Sequence, residues 1–215
     1  GLVEHSMGWP LSEGTGGGSF LYHFGQNLVS IGYVVHLNYT NPYVSPFDEF
    51  QQFKTHPSIK KILEGGKRIS YGARAITAGG FQSVPKLFFP GGALIGCSAG
   101  FLNYPKIKGT HNAMESGILA AESIIENFLS ENQNNDLSNY QEKYESSRIA
   151  KELKKVRNVK PFQSRYGVFL GTILSGIDMW LNTFGITLPF TLSHIKPDYK
   201  TLKKASECNE IIYPK

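Results

Sequence analysis

Cysteine is scarce in this sequence, and its scarcity excludes two kinds of scaffold. The 215 residues contain two cysteines, Cys97 and Cys208. Two thiols cannot build a disulfide framework, and a four-thiolate cluster site needs twice as many. The six histidines are scattered without the spacing of metal ligands. The sequence therefore predicts neither a metal site nor an iron–sulfur site within these residues.

An uninterrupted apolar run of about 20 residues, as a membrane-spanning helix needs, is also missing. The most apolar segment runs from Tyr166 to Leu181, but Asp178 lies inside it and Pro189 follows soon after. Its apolar residues share one helical face: Tyr166, Phe169, Leu170, Ile173, Leu174, Ile177, Trp180 and Leu181. The pattern favours a helix lying in the plane of a membrane surface, although a core helix has the same periodicity.

A dinucleotide-binding fingerprint is absent as well. Residues 14–18 are rich in glycine, but they have neither the G-x-G-x-x-G spacing nor a helix after them. The first residue is Gly1, not Met, and no targeting segment is recognisable, so we expect the chain to be the middle of a longer protein.

The net charge favours some classes of binding partner over others. The 22 basic and 17 acidic residues give a net charge of +5, which favours an anionic membrane surface or an acidic partner. The lysines do not gather with aromatic residues in a binding motif, so no nucleic acid is expected.

The most informative stretch runs from Leu87 to Leu129. Residues 93–95 are an apolar run short enough for a buried strand, and small residues follow at Gly96–Gly100. Apolar positions then recur every three or four residues, which predicts a helix beginning near Thr110 or Asn112. A helix N-terminus attracts phosphate or an electron-rich ring oxygen through its unpaired N–H groups.

A serine hydrolase is one alternative for this stretch, since residues 96–100 match G-x-S-x-G. That motif requires a helix directly after the serine. Asn103 and Pro105 would interrupt such a helix within two turns of Ser98, which argues against a hydrolase.

Other segments give a coarse order of elements. Residues 1–18 read as irregular, whereas 19–23 and 28–39 read as a β-hairpin. Ser45-Pro46 begins a helix, a second covers residues 57–63, and a strand is predicted at 68–71. A polar linker at 130–136 precedes a basic helix whose apolar side carries five residues: Tyr140, Tyr144, Ile149, Leu153 and Val156.

Four segments resemble electron transfer flavoprotein–ubiquinone oxidoreductases at even spacing along the chain: Gly16–His23, Leu63–Ile69, Ile95–Phe101 and Pro105–His111. The resemblance implies a mixed fold (α+β or α/β). It would comprise part of a glutathione-reductase-type FAD domain, an antiparallel-sheet quinone-binding domain and an interfacial helix. It places the quinone sheet at 1–85, the end of the FAD domain at 86–130, and a helical membrane-surface part at 131–215. The dinucleotide motif and the iron–sulfur domain would lie outside this chain.

The resemblance also implies the site residues. FAD would contact seven residues around the predicted helix start: Gly96, Cys97, Ser98, Gly109, Thr110, His111 and Asn112. The backbone at Gly17 and Gly18 would meet the ubiquinone head-group, although the family commonly has tyrosine where this chain has Gly16. The residues alone leave simpler readings open: a flexible glycine turn, a buried packing role for Cys97, and an ordinary N-cap at Thr110 or Asn112.

The implied activity is electron transfer from reduced electron transfer flavoprotein, through a [4Fe–4S] cluster and FAD of the intact enzyme, to ubiquinone. No side chain of this chain is expected to act as a nucleophile or metal ligand, since the protein holds the redox rings and tunes them. The expected location is the matrix face of the mitochondrial inner membrane, or a bacterial cytoplasmic membrane. The chain alone should bind FAD weakly or not at all and should be inactive. A geranylgeranyl-reductase-like flavoprotein and a non-catalytic membrane-surface module are the alternatives.

Overall fold

The computed structural model describes residues 1–12, 14–130 and 137–213. The predicted polar linker therefore lies outside the described residues from position 131 to 136. Contacts between Cα atoms divide the chain into two compact units, Gly1–Gly72 with Lys196–Lys215 and Ala73–Ile195. This division reflects packing, whereas the predicted ranges 1–85, 86–130 and 131–215 were drawn by function and stay predictions.

The first unit contains a three-stranded antiparallel sheet in the order β1-β2-β3. Its strands are β1 (Val3–Met7), β2 (Gly17–Phe24) and β3 (Leu28–Val35). The predicted β-hairpin is confirmed, although β3 ends earlier than residue 39. The prediction of an irregular segment over residues 1–18 is wrong at β1, which pairs with β2 along its whole length.

Two helices, α1 (Pro46–Phe53) and α2 (Pro57–Leu63), follow the sheet. Both match the sequence prediction. The Ser45 hydroxyl caps α1 by accepting the N–H of Asp48 at 3.3 Å. The core of this unit joins one face of the sheet to the helices through Leu21, Phe53 and Ile59.

The strand predicted at residues 68–71 is not formed. Residues 66–80 have no regular secondary structure, and the Ile69 side chain is 76% exposed. A strand is stable only when its backbone groups pair with a neighbour, and the described sheets contain no strand paired with this segment.

The C-terminal segment of the first unit packs beside α1. Tyr213 donates its hydroxyl proton to Glu49 Oε1 at 2.8 Å and accepts the N–H of Ser45 at 3.0 Å. Burial raises the pKa of the Tyr213 hydroxyl to about 12. This neutral hydroxyl holds the segment against the buried Glu49.

The second unit is mainly helical. It contains the short pair β4 (Phe88–Phe89) and β5 (Gly92–Ala93), then α3 (Thr110–Leu129), α4 (Ser138–Ser146), α5 (Arg148–Lys155) and α6 (Val159–Thr183). Its core includes Leu87, Phe101, Tyr140, Ile149 and Leu153. Together the two units make a mixed α+β chain with small antiparallel sheets.

Two predictions for the second unit need correction. The buried strand expected at residues 93–95 is only the end of β5, and Ile95 is 45% exposed. The single basic helix is two helices, because Ser147 ends α4 and caps α5 by accepting the N–H of Ala150 at 3.3 Å. Its predicted apolar side is nevertheless buried at Tyr140, Tyr144, Ile149 and Leu153.

Candidate functional site

The predicted quinone contacts lie in a regular strand, so this part of the glycine run is not a flexible turn. Gly17 and Gly18 begin β2, the central strand of the sheet. The Gly17 carbonyl accepts the N–H of Gly8 at 3.1 Å. A Cβ at Gly17 would collide with the Val34 carbonyl, and one at Gly18 would collide with the Ser6 carbonyl. Both positions therefore need glycine because neighbouring strands approach closely.

The face of the sheet that carries Gly18 differs from the face packed on α1 and α2. Strand register places eleven positions on it, which we call the outward face: Val3, His5, Met7, Gly18, Phe20, Tyr22, Phe24, Leu28, Ser30, Gly32 and Val34. Val3, Met7 and Val34 are exposed. The Phe20 and Tyr22 rings stack with centroids 5.1 Å apart, and Phe20 lies where a Gly32 side chain would be. The result is an aromatic and apolar surface.

The predicted flavin contacts lie along the turn that opens α3. Gly96 begins a short 3-10 helix with a φ of +55°, in the left-handed region that favours glycine. Its N–H donates to the buried Ser116 hydroxyl at 3.0 Å. The Asn112 side chain donates to the Phe101 carbonyl at 2.9 Å. These two bonds fix the segment 96–102 across the first turns of α3.

The N-terminus of α3 is open to a ligand. Gly109 occupies the N-cap position and supplies no capping side chain, while Thr110 is exposed. The buried Asn112 Oδ1 has no donor among the described residues. Ser98 is exposed and Cys97 is a half-buried free thiol. Residues 100–109 contain no helix after Ser98, as the argument against a hydrolase expected.

Glu152 on α5 contacts three polar side chains of this region, and the sequence analysis did not identify it. Its Oε1 accepts from Asn103 Nδ2 at 2.6 Å and lies 3.1 Å from His111 Nε2 and 3.4 Å from Lys106 Nζ. Burial opposes its ionisation, but the hydrogen bonds from Asn103 and His111 and the Lys106 charge outweigh burial and lower the Glu152 pKa. No local pattern could reveal a pairing between residues this far apart in sequence.

The apolar segment predicted at residues 166–181 is part of a helical hairpin. Gly167, with φ +75° and ψ 177°, interrupts α6 and divides it into a first arm at 159–166 and a second arm at 168–183. The Ser175 hydroxyl donates to the Val159 carbonyl at 3.2 Å. A Cβ at Gly171 would lie 2.5 Å from the Gln163 Cα. These contacts align the arms antiparallel. The helix predicted over residues 166–181 is formed from residue 168 on, whereas Tyr166 belongs to the first arm.

The apolar face of the second arm points away from this packing. Phe169 is 82% exposed and Trp180 is 70% exposed, and Ile173 and Ile177 lie exposed between them. The opposite face buries Gly171, Ser175 and Asp178, and burial raises the pKa of the Asp178 carboxyl although the Arg157 charge opposes the rise. Within the described ranges, no helix has the length and apolar character needed to cross a bilayer.

Comparisons with known proteins agree along the chain. Residues 1–76 match the sequence model of a family described as ETF-QO, ubiquinone-binding. The whole chain is 54% identical over 223 residues to the human protein named electron transfer flavoprotein-ubiquinone oxidoreductase, mitochondrial, of which it covers 36%. The protein of that name from Caenorhabditis elegans is 53% identical, with 37% covered. The Pseudomonas aeruginosa electron transfer flavoprotein-ubiquinone oxidoreductase is 50% identical over 216 residues, with 39% covered.

The chain thus spans a little over a third of the length of these relatives, and every one of its residues lies within the aligned region. Identity of 50–54% over such a length reflects common descent. Along its whole length the chain therefore belongs to the electron transfer flavoprotein–ubiquinone oxidoreductase family.

Proposed function

We propose that this chain supplies the ubiquinone site and part of the flavin site of an oxidoreductase that passes electrons from reduced electron transfer flavoprotein to ubiquinone. The observation that carries the proposal is the outward face, an apolar and aromatic surface within the residues that match the ubiquinone-binding family. A quinone site needs apolar and aromatic side chains together with a few hydrogen-bonding groups. The names of the relatives supply the electron donor and acceptor.

On the quinone side, Gly17 and Gly18 would present main-chain groups to the ring carbonyls. A carbonyl oxygen has two lone pairs and an N–H has one proton, so strand pairing limits what each glycine can offer. The Gly17 carbonyl already accepts one bond from Gly8. The absence of a side chain at Gly18 lets the Ser6 carbonyl of the neighbouring strand approach closely, and Phe20 lies on the same face.

On the flavin side, the residues present fit an FAD isoalloxazine. Gly96, Cys97 and Ser98 form a side-chain-poor turn beside α3, and Gly109, Thr110, His111 and Asn112 form its uncapped N-terminus. The buried Asn112 Oδ1 has no donor among the described residues and is therefore an unused acceptor at this helix start. When bound, FAD supplies one-electron chemistry. The positive end of α3 would stabilise negative charge on the reduced ring.

The iron–sulfur cluster of the proposed activity would belong to the intact enzyme. A [4Fe–4S] cluster needs four thiolates, whereas this chain has two cysteines in all. We therefore assign no cluster ligand here, and the electron transfer flavoprotein would dock on a surface that these residues do not identify.

The hairpin formed by α6 would dip its second arm into the surface of a membrane. Its exposed apolar side chains match an interfacial helix, and Trp180 is suited to the boundary between lipid and water. Arg165, exposed beside the turn and hydrogen-bonded to the Ser193 carbonyl at 3.0 Å, would meet head-groups. The membrane would be the mitochondrial inner membrane at its matrix face, or a bacterial cytoplasmic membrane.

Quinone binding can be tested on the 215-residue chain by NMR titration with decylubiquinone. We expect shifts of the Phe20 and Tyr22 resonances on the outward face. Shifts confined to other residues would contradict the proposed site.

Membrane association has a separate test, sedimentation with phosphatidylcholine vesicles. Ile177→Asn places a polar group on the exposed face of the second arm and should reduce binding. Ile69→Asn makes the same change at an exposed position of residues 66–80 and should leave binding unchanged. Equal binding of the two variants would contradict the hairpin as the membrane contact.

A further inference from the structure

Two side chains on the outward face can exchange protons, and they contact each other. Of the eleven outward positions, His5 and Tyr22 carry titratable groups. The Tyr22 hydroxyl lies 3.3 Å from His5 Nε2, and the rings meet edge to face with centroids 5.5 Å apart. The other nine positions are apolar side chains, glycines and one serine.

We propose that Tyr22 and His5 form the proton-donating pair for ubiquinone reduction at the outward face. The inference rests on the proposed function, because it assumes that the ring reduced there is a quinone. It goes beyond that function by assigning the source of the protons that the reaction consumes.

The electrons and protons of this reduction come from different sources. Reduction of ubiquinone to ubiquinol takes up two electrons and two protons, and the electrons come from the reduced flavin of the proposed activity. The Tyr22 O–H bond breaks as a new O–H bond forms on a reduced quinone oxygen. Protonated His5 then gives its Nε2 proton to the Tyr22 oxygen and regains a proton from water. A second cycle delivers the second proton.

The surroundings of the pair suit this role. Tyr22 stacks on Phe20, which lies over Gly32, so a planar ring placed on this surface has its edge beside the Tyr22 hydroxyl. Gly18 and Tyr22 each lie two residues from Phe20 along β2, which is about 7 Å in a strand. A ring near Phe20 can therefore lie beside Tyr22.

Among the strand residues that the structure describes, no competing acid shares this face. Glu4 and His23 alternate to the side of the sheet packed on α1 and α2, as the burial of their neighbour Leu21 shows. His5 pairs directly with Phe20 across the strands and is exposed, so it can exchange protons with water. A donor that contacts the substrate and a second group that restores it are the two parts that general acid catalysis needs.

The test uses the native gene product loaded with its flavin. The flavin is reduced under anaerobic conditions and mixed with saturating decylubiquinone, and ubiquinol formation is followed. Tyr22→Phe keeps the stacked ring and removes the proton, while His5→Gln keeps a polar partner that cannot deliver one. We expect rates to fall at least tenfold in both variants with KM little changed. Added imidazole should restore activity to His5→Ala, and His56→Gln, which alters an exposed histidine of the same unit, should behave as wild type.

The outcomes separate the inference from the proposed function. Wild-type rates in Tyr22→Phe and His5→Gln would overturn the proton-donating role alone. A wild-type protein that does not reduce decylubiquinone would overturn both. NMR titration of Tyr22→Phe with decylubiquinone gives a readout that is independent of activity. Retained affinity with a lost rate supports proton donation, whereas lost affinity would show that Tyr22 only shapes the surface and would refute the proposal.

Discussion

Close packing between the arms of the α6 hairpin can be tested by two glycine replacements in the same helix. Gly171 faces the first arm, where a Cβ would lie 2.5 Å from the Gln163 Cα and 2.7 Å from the Phe162 carbonyl oxygen. Gly176 faces open space, with no atom within 4 Å of its Cβ position. Both lie in the second arm, so alanine brings each the same intrinsic gain of about 0.5–1 kcal/mol in a helix interior.

The steric cost of the new methyl group then decides whether alanine at Gly171 stabilises or destabilises the chain. The atoms that a new methyl group would meet there are backbone atoms, which cannot rotate away, so the arms must separate. Overpacking of this kind typically costs about 1–3 kcal/mol. We expect Gly176→Ala to stabilise the chain and Gly171→Ala to destabilise it. The difference between the two variants equals the overpacking cost, because the helix-propensity gain cancels.

Urea unfolding followed by far-ultraviolet circular dichroism measures this difference. In thermal unfolding, about 1 kcal/mol corresponds to roughly 2–4 °C in Tm for a chain of this size. Equal stability of the two variants would refute the hairpin geometry, because a continuous helix would leave both glycines equally tolerant of alanine.

Three further predictions concern side chains whose partners the structure defines. Because burial raises the pKa of the Asp178 carboxyl, ionisation of this group lowers the native stability as pH rises through that pKa. Asp178→Asn should therefore be more stable than wild type in urea unfolding at neutral pH, and the difference should shrink in acid. Glu152→Ala leaves the buried Asn103 amide unpaired and should cost about 1–3 kcal/mol, whereas Glu142→Gln, at an exposed position of α4, should change unfolding by less than about 0.5 kcal/mol. Since the pKa of Glu152 is lowered in the native state, its contribution to stability should be present above the ordinary pKa of a glutamate and lost as pH falls through the native pKa. A destabilisation of Glu152→Ala that persists in strong acid would contradict this expectation. Tyr213→Phe removes the hydroxyl bonded to Ser45 and Glu49 and should speed limited proteolysis after residue 196, and an unchanged cleavage rate would show that this hydroxyl does not hold the segment.

Local signals in the sequence predicted the elements that depend on local interactions. The α1 start follows from a capping hydroxyl at Ser45 and a proline at the first helical position. A proline at the first helical position and the glycines after residue 64 predicted the limits of α2, whereas apolar periodicity predicted the start of α3 near Thr110. Strand β1 lacked one, because its five residues are exposed and show no apolar alternation. Its pairing with β2 is a non-local interaction that periodicity does not encode.

Helical periodicity identified the two faces of the α6 second arm but not what each face contacts. The small residues at Gly171 and Ser175 pack against the first arm, while the large apolar residues remain exposed. The same reversal occurs on α3, where Ile118 and Phe128 are exposed and Ser116 and Ser123 are buried. Periodicity alone cannot distinguish these arrangements, because it reports the difference between faces and not the partner of either.

Local sequence order located some of the predicted flavin contacts but not the residues that they pair with. The strand, turn and helix order located Gly96 and Asn112 near the start of α3, and the structure joins the turn to that helix through a hydrogen bond at each residue. The Glu152 contact with His111 joins residues on different helices, so only the folded chain reveals it. His5, likewise, lies in the strand that the sequence did not predict.

The turn at Gly167 has an electrostatic consequence for the hairpin. The first arm ends there with carbonyl groups that carry partial negative charge, and the second arm begins there with N–H groups that carry partial positive charge. With a single residue between them, opposite partial charges neighbour each other and partly cancel. The tip can thus enter a medium of low dielectric constant at a smaller solvation cost than either helix end would incur alone.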